Sequence, residues 1–252
     1  MTRDPRDIVC LALDATYLGY ARNILDSLQD VGLRHVKCGL SLIHAPDGGT
    51  GRIAAALHRR GLLAGSILDA KLCDTPNTIS GAVQGIVRTS FPLFTAHLSM
   101  GAPSLSKMRE TLADVVKAEH AVEARAIGVT LLTSLDEDDL PTLGFAERTS
   151  PLEVVLFLIH LGIRHGVTRI VCSPLELMAF REQGVFEDVD FYVPGIRPKG
   201  APFKGQKRTK TPAEAIQAGA HMLIIGNPIL NPSEGTSADA FKRICDKVAA
   251  AL

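Results

Sequence analysis

Residues 64–78 read AGSILDAKLCDTPNT, an apolar run that passes directly into a helix start. The first seven residues are mostly small or apolar, which is typical of a buried strand. Thr75 and Pro76 form an N-terminal helix signal, because threonine favours the cap position and proline the first turn. The stretch therefore predicts a β-strand followed by an α-helix, with three charged residues near the junction: Asp69, Lys71 and Asp74.

The same strand-then-helix pattern recurs along the whole chain. The other predicted strands are residues 8–14, 34–40, 91–98, 125–132, 168–173, 189–194 and 221–226. A final helix is predicted at residues 238–251. Eight βα units predict an α/β protein whose residues 1–252 form one domain, a (β/α)8 TIM barrel. An open doubly wound sheet is the alternative, but LALDATYLGYA, at the end of the first strand, lacks the GxGxxG fingerprint of that fold.

The composition restricts the class of partner. Lysine plus arginine and aspartate plus glutamate number 27 each, so no global field attracts nucleic acid or an anionic membrane. No run of about 18 apolar residues occurs, and the N-terminus lacks the apolar stretch of a signal peptide. We therefore expect a cytoplasmic protein that binds a small molecule, without a nucleic-acid or membrane partner.

The cysteines and histidines give no signal of a metal site. The five cysteines are an odd number without CxxC spacing, which predicts reduced core thiols. The eight histidines show neither HExxH nor another paired-ligand spacing.

Charged side chains stand at the ends of three consecutive predicted strands. Asp14 closes the first strand, and Lys37 lies near the end of the second. Asp69 and Lys71 are two apart in the third, so strand alternation predicts that they point to the same side. Catalytic groups of TIM barrels lie at these strand ends, and clustered charges in a cleft are costly unless they act on a ligand. The alternative is structural: an exposed Asp69–Lys71 ion pair, with Asp74 at an ordinary helix start.

The motif Asp-x-Lys-x-x-Asp-x-Pro-Asn-Thr at residues 69–78 resembles the signature of the orotidine 5'-phosphate decarboxylase family. The likeness continues in LALD, VKCGL, TAHLSMGA, VTLLTSL and VCSPLE, and ends with VPGIRPKGAPFKGQKRTKTPAEAIQAGAHMLIIGNPI. These segments cover nearly the whole chain in the family's order. The resemblance implies a carbon–carbon lyase of pyrimidine biosynthesis that converts orotidine 5'-phosphate to UMP without a metal or other cofactor.

The resemblance also implies a catalytic role for each matching residue. The family's Lys-Asp-Lys-Asp network matches Lys37, Asp69, Lys71 and Asp74. Lys71 would stabilise the carbanion that develops at C6 of the pyrimidine and give it a proton, while Asp69 would lie against the substrate carboxylate. Lys37 and Asp74 would hold Lys71 charged and oriented. In the family this last aspartate comes from the neighbouring subunit, so the resemblance implies a homodimer with shared active sites.

The remaining matches are implied substrate contacts. Asp14 matches a ribose-hydroxyl ligand and Thr133 a pyrimidine contact, while Thr75 and Thr78 match residues that reach the partner subunit's nucleotide. The implied phosphate contacts are Arg197, Gln206, Gly226 and Asn227. The first two lie in residues 195–210, a segment without periodicity that we expect to act as a phosphate-binding lid.

One departure from the family pattern follows the eighth predicted strand. The chain has Gly226-Asn227-Pro228, where the family usually has Gly-Arg-Pro. Asparagine carries no charge, so the phosphate contact is weakened unless a lid cation replaces the arginine. The candidate cations are Lys199, Lys204, Lys207 and Arg208.

Two other functions stay open at this point. One is a magnesium-dependent sugar-phosphate decarboxylase or aldolase of the same superfamily, which shares Asp-x-Lys-x-x-Asp. The continuation Pro76-Asn77-Thr78 and the GIRP segment favour the pyrimidine enzyme over it. The other is a catalytically silent nucleotide-binding homologue, against which the intact Lys71 and Asp74 argue.

Overall fold

The protein is described by a computed structural model that covers residues 3–119, 123–197 and 209–252. Eight parallel strands close into a barrel in chain order, because the last strand also pairs with the first. The strands are β1 (Val9–Leu13), β2 (His35–Cys38), β3 (Ser66–Leu72), β4 (Leu93–His97), β5 (Arg125–Val129), β6 (Arg169–Val171), β7 (Asp190–Val193) and β8 (Met222–Ile225). The predicted TIM barrel is confirmed, and the open-sheet alternative is wrong.

Helices follow the strands in the connecting segments. Those within the described residues are α1 (Leu18–Ser27), α2 (Leu40–Ile43), α3 (Thr50–His58), α4 (Pro76–Arg88), α5 (Gly101–Glu119), α6 (Pro151–Arg164), α7 (Pro174–Gln183), α8 (Pro212–Gln217), α9 (Asn227–Leu230) and α10 (Ser237–Ala249). Short 3-10 helices occupy Pro5–Asp7, Gln29–Val31, Leu63–Gly65, Leu98–Met100 and Glu137–Leu143. In the part of the chain that the structure describes, no helix has the length and apolar character needed to cross a membrane.

The predicted strands match the observed ones but extend too far at some carboxyl ends. The run predicted at residues 125–132 leaves the sheet after Val129, although Leu131 is also buried. Leu131 is buried because it packs in the hydrophobic core next to the cavity, not because it pairs with a neighbouring strand. Apolar periodicity reports burial, so it cannot distinguish these two environments.

The barrel strands are buried on both faces, as expected for a parallel sheet. On β1, Cys10 and Ala12 point into the barrel, whereas Val9 and Leu11 pack toward the helices. The barrel interior holds a cluster of side chains from several strands, namely Cys10, Ala12, Ile67, Ile127, Tyr192, Met222 and Ile224. Part of this cluster forms the apolar lining of the cavity described below.

The cysteines depart from the prediction at one position. All five are free thiols, and Cys10, Cys38, Cys172 and Cys245 are buried. Burial raises the pKa of Cys38 to about 12, which keeps its thiol protonated. The prediction of a core thiol is wrong for Cys73, which is exposed because it follows the end of β3.

Candidate active site

A cavity of about 420 Å³ lies at the carboxyl ends of the strands. Charged side chains from several strand ends line it: Asp14, Lys37, Asp69, Lys71 and Arg197. The first four follow or end β1, β2 and β3, which are neighbours in the sheet, whereas Arg197 follows β7. Since β3 and β7 are four strands apart in a closed barrel of eight, Arg197 lies across the mouth from Lys71. The cavity can therefore hold an elongated ligand between two cationic regions.

A compact charge cluster joins Lys37, Asp69 and Lys71. The Oδ2 atom of Asp69 accepts a hydrogen bond from each ammonium group, and both Nζ–Oδ2 distances are 2.6 Å. Asp14 stands 3.7 Å from the Nζ atom of Lys37 and keeps a 60% exposed side chain. The Asp69 side chain is only 6% exposed, and two neighbouring cations compensate its buried negative charge.

The surroundings of Asp69 and Lys37 keep these two groups ionised. Burial alone would raise the pKa of Asp69, but the neighbouring Lys37 and Lys71 charges outweigh burial and lower it well below its usual range. Burial alone would lower the pKa of Lys37, but the Asp69 and Asp14 carboxylates raise it above its ordinary value. The cluster therefore presents fixed charges to a ligand at neutral pH.

The backbone of β3 is irregular where it carries these charges. Leu68 pairs with Phe94 and Leu72 with Ala96, so β3 advances four residues while β4 advances two. Lys71 has a φ of 45°, in the left-handed region that costs a non-glycine residue about 1–2 kcal/mol. Asp69 and Lys71 both line the cavity, as alternation predicts, but through a bulged strand rather than a regular one.

Thr95 and Gly39 contribute to the cluster and were missed by the sequence analysis. Thr95, which is 2% exposed on β4, donates from Oγ1 to Oδ1 of Asp69 over 2.8 Å. A Cβ atom at position 39 would stand 3.0 Å from an Asp14 carboxylate oxygen and 3.5 Å from the Lys37 Nζ atom. A polar residue within an otherwise apolar strand was an available signal for Thr95. Gly39 leaves room for the Asp14 and Lys37 side chains. No local sequence pattern indicates this role, because it depends on residues that are distant in the sequence.

Asp74, Thr75 and Thr78 lie apart from the cavity of their own chain. All three are exposed and none of them lines it. The backbone N–H of Thr75 donates to Oδ1 of Asp74 over 2.6 Å, and this contact lowers the pKa of Asp74. Pro76 occupies the first turn of α4. The structure therefore brings Asp14, Lys37, Asp69 and Lys71 together within one chain but leaves Asp74 at its surface.

The other side of the mouth carries Arg197, Gly226 and Asn227. The Nε atom of Arg197 is buried and has no hydrogen-bond partner among the described residues. Burial lowers the pKa of this arginine. The Oδ1 atom of Asn227 accepts from the Nδ2 atom of Asn231 over 3.1 Å, and the Asn227 amide N–H groups bond to none of the described residues. Arg197 and Asn227 thus present hydrogen-bond donors to the cavity.

The remaining predicted contacts divide between the cavity and the undescribed part of the chain. Thr133 lies beyond β5, is half-buried and lines the cavity. Gln206 and the four candidate lid cations lie outside the described residues. At the base of the predicted lid, Ile196 and Lys210 form a parallel bridge that joins the two ends of the segment.

A sequence profile described as "Orotidine 5'-phosphate decarboxylase / HUMPS family" matches residues 7–240. The chain belongs to this family. An orotidine 5'-phosphate decarboxylase of Anaeromyxobacter sp. (strain K) is 35% identical over 93% of this chain and 96% of its own length. That of Synechococcus sp. (strain WH7803) is 34% identical over 94% and 93%. The crystal structure of the Lactobacillus acidophilus orotidine 5'-phosphate decarboxylase matches with a TM-score of 0.78, at 26% identity over 96% of this chain and 99% of that one.

In this orotidine 5'-phosphate decarboxylase family member the two cavity carboxylates, Asp14 and Asp69, are paired with ammonium groups. Among residues 3–119, 123–197 and 209–252, no group of three or more His, Cys, Asp or Glu side chains is placed to hold a metal ion.

The depressed pKa of Asp69 predicts a pH-dependent stability difference between the wild type and Asp69→Asn. A group whose folded pKa is lowered contributes stability above its unfolded pKa, near 3.8, and loses it as pH falls toward the folded value. At about pH 6 the variant should be less stable by about 3–5 kcal/mol, because two ammonium groups lose their shared counter-charge. This gap should narrow by about 1 kcal/mol between about pH 6 and pH 3. Urea unfolding of both proteins at the two pH values measures this difference in the free energy of unfolding. A difference that does not change with pH would contradict the lowered pKa of Asp69.

Proposed function

We propose that the protein decarboxylates orotidine 5'-phosphate to UMP without a cofactor, as a step of pyrimidine biosynthesis. The observation that carries the proposal is the Asp69 carboxylate, held 2.6 Å from both the Lys37 and Lys71 ammonium groups at the edge of the 420 Å³ cavity. Membership of the family and relatives named orotidine 5'-phosphate decarboxylase support the choice of substrate.

The chemistry of the reaction explains why a fixed cation is needed. When the bond between C6 and the carboxylate carbon breaks, CO2 leaves and the electron pair remains on C6. That pair lies in the ring plane and is not delocalised into the π system, so the transition state needs electrostatic stabilisation from the protein. Lys71 supplies the positive charge beside C6 and then transfers a proton from Nζ to C6, which gives UMP. Solvent returns a proton to Lys71.

Asp69 and Lys37 prepare Lys71 for this role. Asp69 holds the Lys71 ammonium group by a charge-assisted hydrogen bond, and its own charge faces the substrate carboxylate. This proximity disfavours the carboxylate and favours its departure as neutral CO2. Lys37 binds the same oxygen of Asp69 and keeps that carboxylate ionised within the buried cluster.

The rest of the cavity suits the remaining parts of the nucleotide. Asp14, beside Lys37, can accept hydrogen bonds from ribose hydroxyls, and Thr133 can bond to the pyrimidine. The phosphate would lie across the mouth, where Arg197 forms no ion pair among the described residues and Gly226 and Asn227 add donors. From the sequence we also propose that Gln206 contacts the phosphate and that residues 195–210 form a lid over it.

The proposed active enzyme is a cytoplasmic homodimer with shared active sites. Asp74, Thr75 and Thr78 are exposed and do not line the cavity of their own chain. A second copy would bring them to the opposite cavity, where Asp74 would contact Lys71 and the two threonines would reach the nucleotide. A two-fold dimer would complete both sites in the same way.

The direct test is the loss of orotidine 5'-phosphate absorbance with purified protein in the presence of a chelator. We expect turnover that the chelator does not change. Turnover that requires added Mg²⁺, with a sugar phosphate as the better substrate, would contradict the proposal and support the sugar-phosphate enzyme. UMP binding without any turnover would instead support the silent homologue.

The variant Asn227→Arg is expected to raise kcat/KM by about 10- to 100-fold, because a guanidinium would add a charge-assisted contact to the phosphate. Steady-state kinetics with orotidine 5'-phosphate measures this gain, and most of it should appear as a lower KM.

Ser233→Arg is the matched control for this prediction. It adds the same charge six residues further along the chain, at an exposed residue outside the cavity. An equal gain in both variants would indicate long-range attraction of the substrate rather than a phosphate contact. No gain at position 227 would show that another cation already holds the phosphate.

A further inference from the structure

We propose that Thr95 is a positioning residue that sets the geometry of Asp69 and Lys71 together through one hydroxyl group. The inference rests on the proposed decarboxylation, to which it adds a residue outside the Lys-Asp-Lys-Asp network. Thr95 lies on β4, beside the strand that carries both charged residues, and it is almost fully buried.

The two hydrogen bonds of the Thr95 hydroxyl have a defined direction. The backbone N–H of Lys71 donates to Oγ1 over 2.9 Å, since an N–H group can only donate. The hydroxyl hydrogen is therefore available to Oδ1 of Asp69, 2.8 Å away. The same oxygen atom thus connects the backbone of Lys71 to the side chain of Asp69.

The first bond supports an unfavourable backbone conformation. Lys71 adopts a φ of 45° in the bulged part of β3, where the regular strand pairing with β4 is interrupted. Its N–H group bonds to the threonine side chain instead of a β4 carbonyl. Without that hydroxyl a partly buried N–H group would lose its partner, so the left-handed conformation would lose a contact that favours it.

The second bond fixes the orientation of the Asp69 carboxylate. Because Oδ1 is bound to Thr95, the other oxygen, Oδ2, is directed to the two ammonium groups. Loss of the Thr95 bond would let the carboxylate rotate, so that Lys37 and Lys71 could bond to different oxygens of Asp69 instead of both bonding to Oδ2. Either effect would move the Lys71 ammonium group relative to C6, and a displacement of about 1 Å in a reacting group can cost about 100-fold in rate.

The test compares Thr95→Val, Thr95→Ser and a control, Thr111→Val. Valine keeps the shape of threonine without the hydroxyl, whereas serine keeps the hydroxyl. Thr111 is also buried, and its hydroxyl bonds to that of Ser80 over 2.9 Å, outside the cavity. The control therefore loses a buried threonine hydroxyl without altering the site.

We expect Thr95→Val to lower kcat by about 30- to 100-fold with KM and UMP affinity within about threefold of wild type, because the phosphate and ribose contacts remain. Thr95→Ser should recover most of kcat, and Thr111→Val should keep wild-type kcat at a comparable loss of thermal stability. A crystal structure of Thr95→Val should show a changed Lys71 backbone or a rotated Asp69 carboxylate.

Three results would overturn the inference: wild-type kcat in Thr95→Val, a serine variant as slow as the valine variant, or an equal loss of kcat in Thr111→Val. If the wild type itself does not decarboxylate the substrate, the proposed function fails. The role of Thr95 is then tested by the crystal structure of Thr95→Val alone. An unchanged Lys71 backbone and Asp69 carboxylate would overturn the inference, and a change in either would support it.

Discussion

Lys71→Ala is expected to lower kcat for orotidine 5'-phosphate by about 10⁴-fold or more, because it removes both an electrostatic stabiliser and a proton donor. Proton donation is typically worth about 10²- to 10⁴-fold alone, and one electrostatic stabiliser about 10²- to 10³-fold. Loss of substrate absorbance at high enzyme concentration measures the residual rate.

The fold and the nucleotide site should survive this substitution. Lys71 is 32% exposed and, within the described part of the chain, has no hydrogen bond or ion pair with a phosphate-side residue, so we expect UMP affinity to stay within about tenfold of wild type. Lys107→Ala is the matched control, because its ammonium group pairs with exposed Glu110 on α5, away from the cavity. A Lys71→Ala protein that keeps more than a tenth of the wild-type kcat would exclude Lys71 as the proton donor.

Asp74→Ala is expected to lower kcat by about 10³-fold, because the ammonium group of Lys71 would lose a carboxylate that orients it. In the proposed homodimer this effect comes from the partner subunit, since Asp74 is exposed and does not line the cavity of its own chain. Mixing inactive Lys71→Ala and Asp74→Ala dimers therefore tests the shared site. After subunit exchange, heterodimers hold one intact site and one doubly altered site, so activity should return to about a quarter of wild type.

The matched control mixes Lys71→Ala with Asp69→Asn. Asp69 and Lys71 belong to the same chain and are hydrogen-bonded to each other, so no heterodimer of these two variants contains an intact site. This mixture should stay inactive under the same exchange conditions. Recovery in both mixtures, or in neither despite verified exchange, would contradict an active site completed by Asp74 of a second copy.

The sequence by itself determined the barrel and most of the candidate site. Every strand was predicted, because a parallel barrel buries both faces of its strands and leaves apolar runs that are visible locally. The charges of Lys37, Asp69 and Lys71 were recognisable for the same reason, since they interrupt those runs at strand ends. Family motifs then supplied expected roles for them, which the experiments above test.

Only the tertiary structure decided how these residues meet. Lys37 and Asp69 are separated by 32 positions, and Thr95 and Asp69 by 26, so both contacts depend on the pairing of neighbouring strands. No local sequence pattern predicts the bulge in β3 or the left-handed backbone of Lys71. Both occur where the Lys71 N–H group bonds to the hydroxyl of Thr95, which lies on β4. Local sequence determines which segments are buried, whereas the closure of the barrel determines which buried groups become partners.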